Sequence, residues 1–143
     1  MKLDNYLNVE FPSKSANEAL ARSVVAGFVA QMDPTLEELG DIRTAVSEAV
    51  TNCIVHAYPN GIGKIVMRCR IVNENTIDIW IKDKGVGIAD INHARTPMYT
   101  TGGTERSGMG ITIMESFMTD FSIKSAPGKG TTVHMRRRLQ RRK

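Results

Sequence analysis

The chain of 143 residues is long enough for one domain with a buried core. Its 41% hydrophobic and 24% charged content is that of an ordinary globular protein, with no run near the ~18 apolar residues of a membrane span and no apolar signal segment after Met1, so a cytoplasmic setting without a membrane partner is expected. The net charge of +4 hints at nucleic acid, but residues 136–143 alone carry six positive charges; the rest holds 13 basic and 15 acidic side chains, which leaves direct nucleic-acid binding a minor reading.

Tyr6–Phe11 alternates Leu7, Val9 and Phe11 and predicts a strand. Ser15 and Glu18 form a capping-box pattern opening a helix to about Gln31, with Leu20, Val24 and Phe28 on one face. Asp33-Pro34-Thr35 breaks it, and Thr35 with Glu38 makes a second box that starts another helix, which Gly40 could bend. That helix leads into Arg43–Tyr58. There Val46, Ala49, Val50, Cys53, Ile54 and Ala57 recur as a core-facing stripe. Thr44, Glu48, Asn52 and His56 stand four apart in a row on another face. Side chains on a helix anchored in the core are rigidly placed, as a catalytic site requires; the plainer reading is a solvated polar face. Pro59-Asn60-Gly61 stops the helix.

Two strands follow, the first with Ile65, Met67, Cys69 and Ile71 on one side, the second with Ile77, Ile79 and Ile81, joined by a hairpin at Asn73-Glu74-Asn75. Cys53 and Cys69 fall within these apolar patterns, which favours packed reduced thiols over a disulfide or a metal site. An irregular Gly- and Thr-rich segment comes next, then a helix from about Gly108 to Met118. Phe121–Ser125 and Thr131–Arg138 form a closing hairpin. This order predicts a two-layer α/β sandwich: a mixed, mostly antiparallel sheet with helices on one face. A single domain is expected over residues 1–135, with a flexible basic end over 136–143.

Two further segments carry chemistry. Asp83-Lys84-Gly85-Val86-Gly87 closes a strand with a carboxylate and two glycines. Glycine lets a backbone approach a flat ligand closely, and Asp83 can accept from an exocyclic amine; alone, such a Gly-x-Gly is as readily a turn. Arg106-Ser107-Gly108-Met109-Gly110 opens a helix, whose backbone N–H groups and positive end make an anion site, with Arg106 able to add a charge-assisted contact. A loop followed by an ordinary helix is the alternative. No Gly-x4-Gly-Lys-Ser/Thr occurs, so a P-loop site is excluded.

Together, Glu48-x3-Asn52, Asp83-x-Gly85-x-Gly87, Gly108-x-Gly110 and Gly130-Thr131-Thr132 resemble, in order, the motifs of the GHKL ATP-binding fold of gyrase B, Hsp90, MutL and histidine kinases. Val46–Asn52, Arg106–Gly110 and Ile113–Met118 are similar in detail to the anti-sigma-F family, serine kinases of endospore-forming bacteria. The resemblance spans nearly the whole chain, except the basic end and a lid at Thr100–Glu105 that is shorter and more Gly-rich.

The resemblance implies ATP and Mg²⁺ as cofactors. Asp83 would read the adenine amine with Thr131 in support, and Gly85 and Gly87 would let the base lie against the backbone. Asn52 would give Mg²⁺ an oxygen ligand. Ser107, Gly108, Met109 and Gly110 would cradle phosphates, and Arg106 would neutralise charge on the transferring phosphoryl group. Glu48 would take the proton of an attacking serine hydroxyl. His56 is open between phosphate neighbour and structural hydrogen-bonder.

The activity so implied is an anti-sigma factor that sequesters a sporulation sigma factor and phosphorylates an anti-anti-sigma protein on serine, acting as a homodimer. The alternatives are a stress-response anti-sigma kinase acting on a different sigma factor, and an ATP-dependent binding module without kinase activity. A histidine kinase would need a helical hairpin bearing a phospho-acceptor histidine ahead of the first strand, and a gyrase- or Hsp90-type ATPase would need further domains; neither is expected. Glu18 and Arg22, four apart, make an ordinary surface pair by spacing. The resemblance instead puts the matching arginine on a surface shared by sigma factor and anti-anti-sigma protein, with Glu18 beside it.

Overall fold

The computed structural model describes residues 1–87 and 110–140. Its strands are β1 (Leu3–Pro12), β2 (Lys64–Val72), β3 (Thr76–Asp83), β4 (Asp120–Ser125) and β5 (Thr131–Arg138); its α-helices are α1 (Ala16–Val29), α2 (Leu36–Asn52) and α3 (Gly110–Phe117). The sheet order is β1-β2-β3-β5-β4, and each of these pairings is antiparallel. Leu7, Cys69, Ile79 and Met135 are successive register partners across four strands. Because side chains alternate along a strand, that register gathers the apolar ones on one face. The helices cover it: Val25 and Phe28 of α1, Ile42, Val46 and Val50 of α2, and Ile111 and Met114 of α3 share one core with the sheet. Each such aliphatic side chain, once buried, contributes roughly 1.5–3 kcal/mol.

Helix α2 starts as its sequence predicts. Thr35 is extended, its hydroxyl accepts the Glu38 N–H at 3.0 Å, and the Glu38 carboxylate accepts the Thr35 N–H at 2.9 Å. Gly40 is tolerated inside the continuous 17-residue helix. The box expected at Ser15 does not form. Ser15 has helical dihedrals (φ −53°, ψ −38°) and makes no side-chain cap, whereas a capping residue needs an extended backbone to turn its oxygen inward. Of the face expected on α1, Phe28 is buried and Val24 packs partly buried against the core, but Leu20 stays 51% exposed and Ala21, Val25 and Val29 are buried instead. Ala21 has no bulk to hold it away from the core, so the close-packing stripe runs through it.

The basic end is corrected as well. Arg136, Arg137 and Arg138 belong to β5, Leu139 is buried, and the Gln140 N–H donates to Glu38 Oε2 at 2.8 Å. The cause is electrostatic. Arg137 pairs with Asp41 at 2.9 Å and donates to the Phe117 carbonyl at the end of α3. Arg136 binds both oxygens of Asp78, at 2.7 and 2.9 Å. Asp78 lies on the sheet face opposite the helices, yet is fully buried there by Arg136, His134 (3.1 Å) and Arg70 (3.4 Å). His134 in turn stacks on Trp80, centroids 4.3 Å apart and planes 7° from parallel.

Candidate functional site

The expected polar row sits on α2 with the apolar stripe behind it. Val46, Ala49, Val50, Cys53 and Ala57 are buried; Glu48, Asn52 and His56 are half-buried and Thr44 is exposed. After Asn52 the helix widens into a π-helix, Cys53–Ala57, a form that occurs mostly as single turns at functional sites. Four residues of a wider helix fall short of a full turn, so His56 is not stacked directly one turn beyond Asn52.

The π-helix and the segment after β3 are joined at two points. Ala57 O accepts the Val86 N–H at 2.9 Å, and Cys53 Sγ donates to Asp83 Oδ2 at 3.3 Å. Gly85 is required by this closeness, since a Cβ there would run into the Ala57 carbonyl. Gly87 is left-handed (φ +77°), and a Cβ on it would strike the Ala126 carbonyl. The β4–β5 loop closes on the same segment, with the Gly128 N–H donating to Val86 O at 2.7 Å.

Asp83 is the centre of this junction. It is buried at the end of β3, and its Oδ1 accepts the N–H groups of Gly85 (2.9 Å) and Thr131 (3.2 Å). The Thr131 hydroxyl shares a 2.7 Å hydrogen bond with Ser125 Oγ, which also donates to Gly130 O. Burial, and then the neighbouring Asp83 charge, push the Cys53 thiol well above its ordinary range, so it stays a neutral donor. Tyr58 OH braces the rim by donating to Lys64 O and accepting from the Lys84 N–H, both at 2.7 Å.

The structure thus brings Asp83, Gly85, Gly87 and Thr131 together against the end of the helix that carries Glu48 and Asn52. Gly110 is the first residue of α3. Arg106, Ser107, Gly108, Met109 and the Thr100–Glu105 stretch lie outside the described residues. Cys53, Tyr58 and Ser125 were not among the expected site residues; the one signal for Cys53 is its place directly after Asn52. Among the described residues no group of three or more His, Cys, Asp or Glu gathers as a metal site. The lone Asn52 amide suits a cation that keeps its waters and arrives with phosphate oxygens, which is how Mg²⁺ behaves.

Arg22 and Glu18 occupy a second place, between α1 and α2. Glu18 Oε2 lies 3.2 Å from Arg22 Nε and also accepts the Ser47 hydroxyl at 2.9 Å. An open hollow of about 250 Å³ beside them is lined by Arg22, Gly40, Arg43, Thr44 and Ser47. No helix among the described residues is long and apolar enough to cross a membrane.

Comparison with known proteins adds to this geometry. The family described as the histidine kinase-like ATPase domain matches residues 11–137. The anti-sigma F factor of Caldanaerobacter subterraneus subsp. tengcongensis is 51% identical over 142 residues, 99% of either chain. The anti-sigma F factor of Pasteuria penetrans is 51% identical over 95% of this chain and 92% of its own. That of Bacillus licheniformis is 48% identical over 99% and 97%. Among solved structures, the RsbU and RsbW domains of a Mycobacterium tuberculosis protein align with TM-score 0.70 over 97% of this chain. This chain spans 34% of that longer one, and at 18% identity the likeness shows the fold alone.

Proposed function

The chain belongs to the anti-sigma F factor family of histidine kinase-like ATPase domains, and on that premise we propose that it sequesters a sporulation sigma factor and uses Mg-ATP to phosphorylate an anti-anti-sigma protein on serine. The observation that carries the nucleotide half of this reading is the state of Asp83. An ionised carboxylate has about four acceptor sites. Three described donors reach Asp83, two on Oδ1 and a weak thiol on Oδ2. Oδ2 therefore keeps acceptor capacity, which fits the exocyclic amine of adenine.

Bound ATP would supply the transferable γ-phosphoryl group. The chain's own residues then divide the work. Asn52 offers its amide oxygen to Mg²⁺, and Arg106 with the backbone of Ser107, Gly108, Met109 and Gly110 counters phosphate charge. Glu48, one turn before Asn52 on a helix locked by the core, accepts the proton from the attacking serine hydroxyl. His56, half-buried on the π-helix, serves as a phosphate neighbour or braces the turn. Arg22, with Glu18 holding it, contacts both protein partners beside the hollow between α1 and α2. The protein acts as a cytoplasmic homodimer.

The identity to anti-sigma F factors favours a sporulation role over a stress-response one, and the presence of both Glu48 and Arg106 favours a kinase over a passive ATP-bound module. The test is incubation with Mg-ATP and a candidate anti-anti-sigma protein, with the phosphosite mapped by mass spectrometry. Transfer to a serine is expected. ATP binding without transfer would leave only the binding module, and a phosphohistidine on the protein itself would overturn the reading.

A further inference from the structure

Cys53 is given no part in phosphate transfer above, yet among the described residues it is the one side chain that hydrogen-bonds Asp83 Oδ2. We infer that Cys53 is the positioning residue for adenine selection: its thiol, donating to Asp83 Oδ2 at 3.3 Å, fixes the plane of the carboxylate that reads the base. This rests on the reading of Asp83 given above and extends it to a residue outside the nucleotide motifs.

The terminal torsion of an aspartate is soft and roughly two-fold, so a carboxylate held only at Oδ1 can tilt about that oxygen. Here Oδ1 is pinned by two backbone N–H groups, those of Gly85 and Thr131. Oδ2 has only Cys53. A neutral thiol is a weak donor; it orients the oxygen while leaving its basicity for a stronger N–H donor. The π-helix explains how Cys53 reaches so far. Its first residue, Cys53, touches Asp83 and its last, Ala57, binds Val86, so both ends of the widened turn are fastened to the base-reading segment. The competing reading is a small buried hydrophobe that only fills space.

The two readings differ in what they do to ligand choice. The experiment measures, by calorimetry on the full chain, the affinity for ATP and for purine riboside triphosphate, in which hydrogen replaces the 6-amino group. Wild-type protein should prefer ATP by ~10-fold or more, the range for one charge-assisted hydrogen bond. Cys53→Ala should reduce that preference to within ~3-fold, chiefly by weakening ATP, and Cys53→Ser should restore it. Should Cys53→Ala fail to fold, Cys53→Val fills the space without a donor and carries the same expectation. Equal weakening of both nucleotides, with the ratio unchanged, would make Cys53 a packing residue and overturn the proposal. A wild-type protein that does not prefer ATP would instead overturn the base-reading role of Asp83 itself, and the proposal with it.

Discussion

Thr131 donates its backbone N–H to Asp83 Oδ1 at 3.2 Å, and the same two residues are register partners on β5 and β3. The side chain expected to read a base is therefore also stitched into the ladder between two central strands. On the proposed reading Asp83 serves the fold and the site at once, so removing its charge should disturb both.

Asp83→Asn shows this most directly. An amide must turn its NH₂ either toward the two N–H donors now on Oδ1 or toward the position of Oδ2, where a base amine would meet it. One polar clash is unavoidable. ATP affinity should fall by ~100-fold or more, and unfolding free energy by about 1–3 kcal/mol, the cost of an unsatisfied buried group. Calorimetric titration and denaturant unfolding separate the two effects. An unchanged ATP titration would remove Asp83 from the pocket.

What could be read from the sequence followed its periodicities. Thr35 with Glu38, and the stripe from Val46 to Ala57, announced α2 because caps and 3.6-residue spacing are local signals. The alternating isoleucines of β3 announced the sheet for the same reason. The contact between Cys53 and Asp83 was not legible. It joins residues 30 apart and depends on a π-turn that no spacing rule marks. The surroundings of Asp78 were not legible either: alternation puts it on the outward face of β3, but cations from β2 and β5 close over it. One of them, Arg136, had read as part of a loose basic end. The face of α1 was missed at Leu20 because leucine outweighs Ala21 in any hydrophobic pattern, while packing favours the smaller side chain.

Glu48→Gln should separate binding from chemistry. The substitution keeps size and leaves Asn52 in place, so ATP binding should stay within a few-fold of wild type. Phosphoryl transfer to the anti-anti-sigma protein should slow by ~100-fold or more, the range for loss of a general base. Single-turnover assays with labelled ATP measure this step alone. Transfer at the normal rate would mean that another group takes the serine proton.

Acid should weaken the fold through two buried carboxylates. Burial alone would raise the Asp78 pKa, but the hydrogen bonds from Arg136 and His134 outweigh it and hold the group below its ordinary value. Glu38 behaves alike: burial opposes ionisation, and the N–H groups of Thr35 and Gln140 prevail. A depressed native pKa means that the unfolded chain binds the proton more readily. The stabilisation is thus complete above the unfolded values near ~4 and drains away as pH falls through the lower native ones. Asp78→Asn should flatten that acid limb and cost about 3 kcal/mol at neutral pH, because it leaves Arg136 beside a buried site without its counter-charge. Urea midpoints followed from pH 7 to pH 3 test both points; an acid limb identical in the variant would assign it to other carboxylates.

Arg22 gives the sharpest test of the partner surface. Its pair with Glu18 is partly exposed, at 39% and 25% of the side chains, and an i,i+4 pair of that kind contributes only ~0.3–0.5 kcal/mol. Arg22→Ala should therefore leave folding and ATP binding intact. Glu18 is shared with Ser47 of α2, so it keeps its place when the arginine is gone, and the loss is confined to the guanidinium at the edge of the hollow. If that guanidinium meets both partners, sigma-factor binding and phosphorylation of the anti-anti-sigma protein should fall together, by ~10-fold or more for a charge-assisted contact, and further in Arg22→Glu. The two proteins should also compete, since one arginine cannot serve both at once. Pull-down of sigma factor with increasing anti-anti-sigma protein, alongside the phosphorylation assay, reads these effects separately. Loss of one partner alone would mean separate docking sites. Normal binding of both would return Arg22 to the ordinary surface pair that its spacing with Glu18 describes.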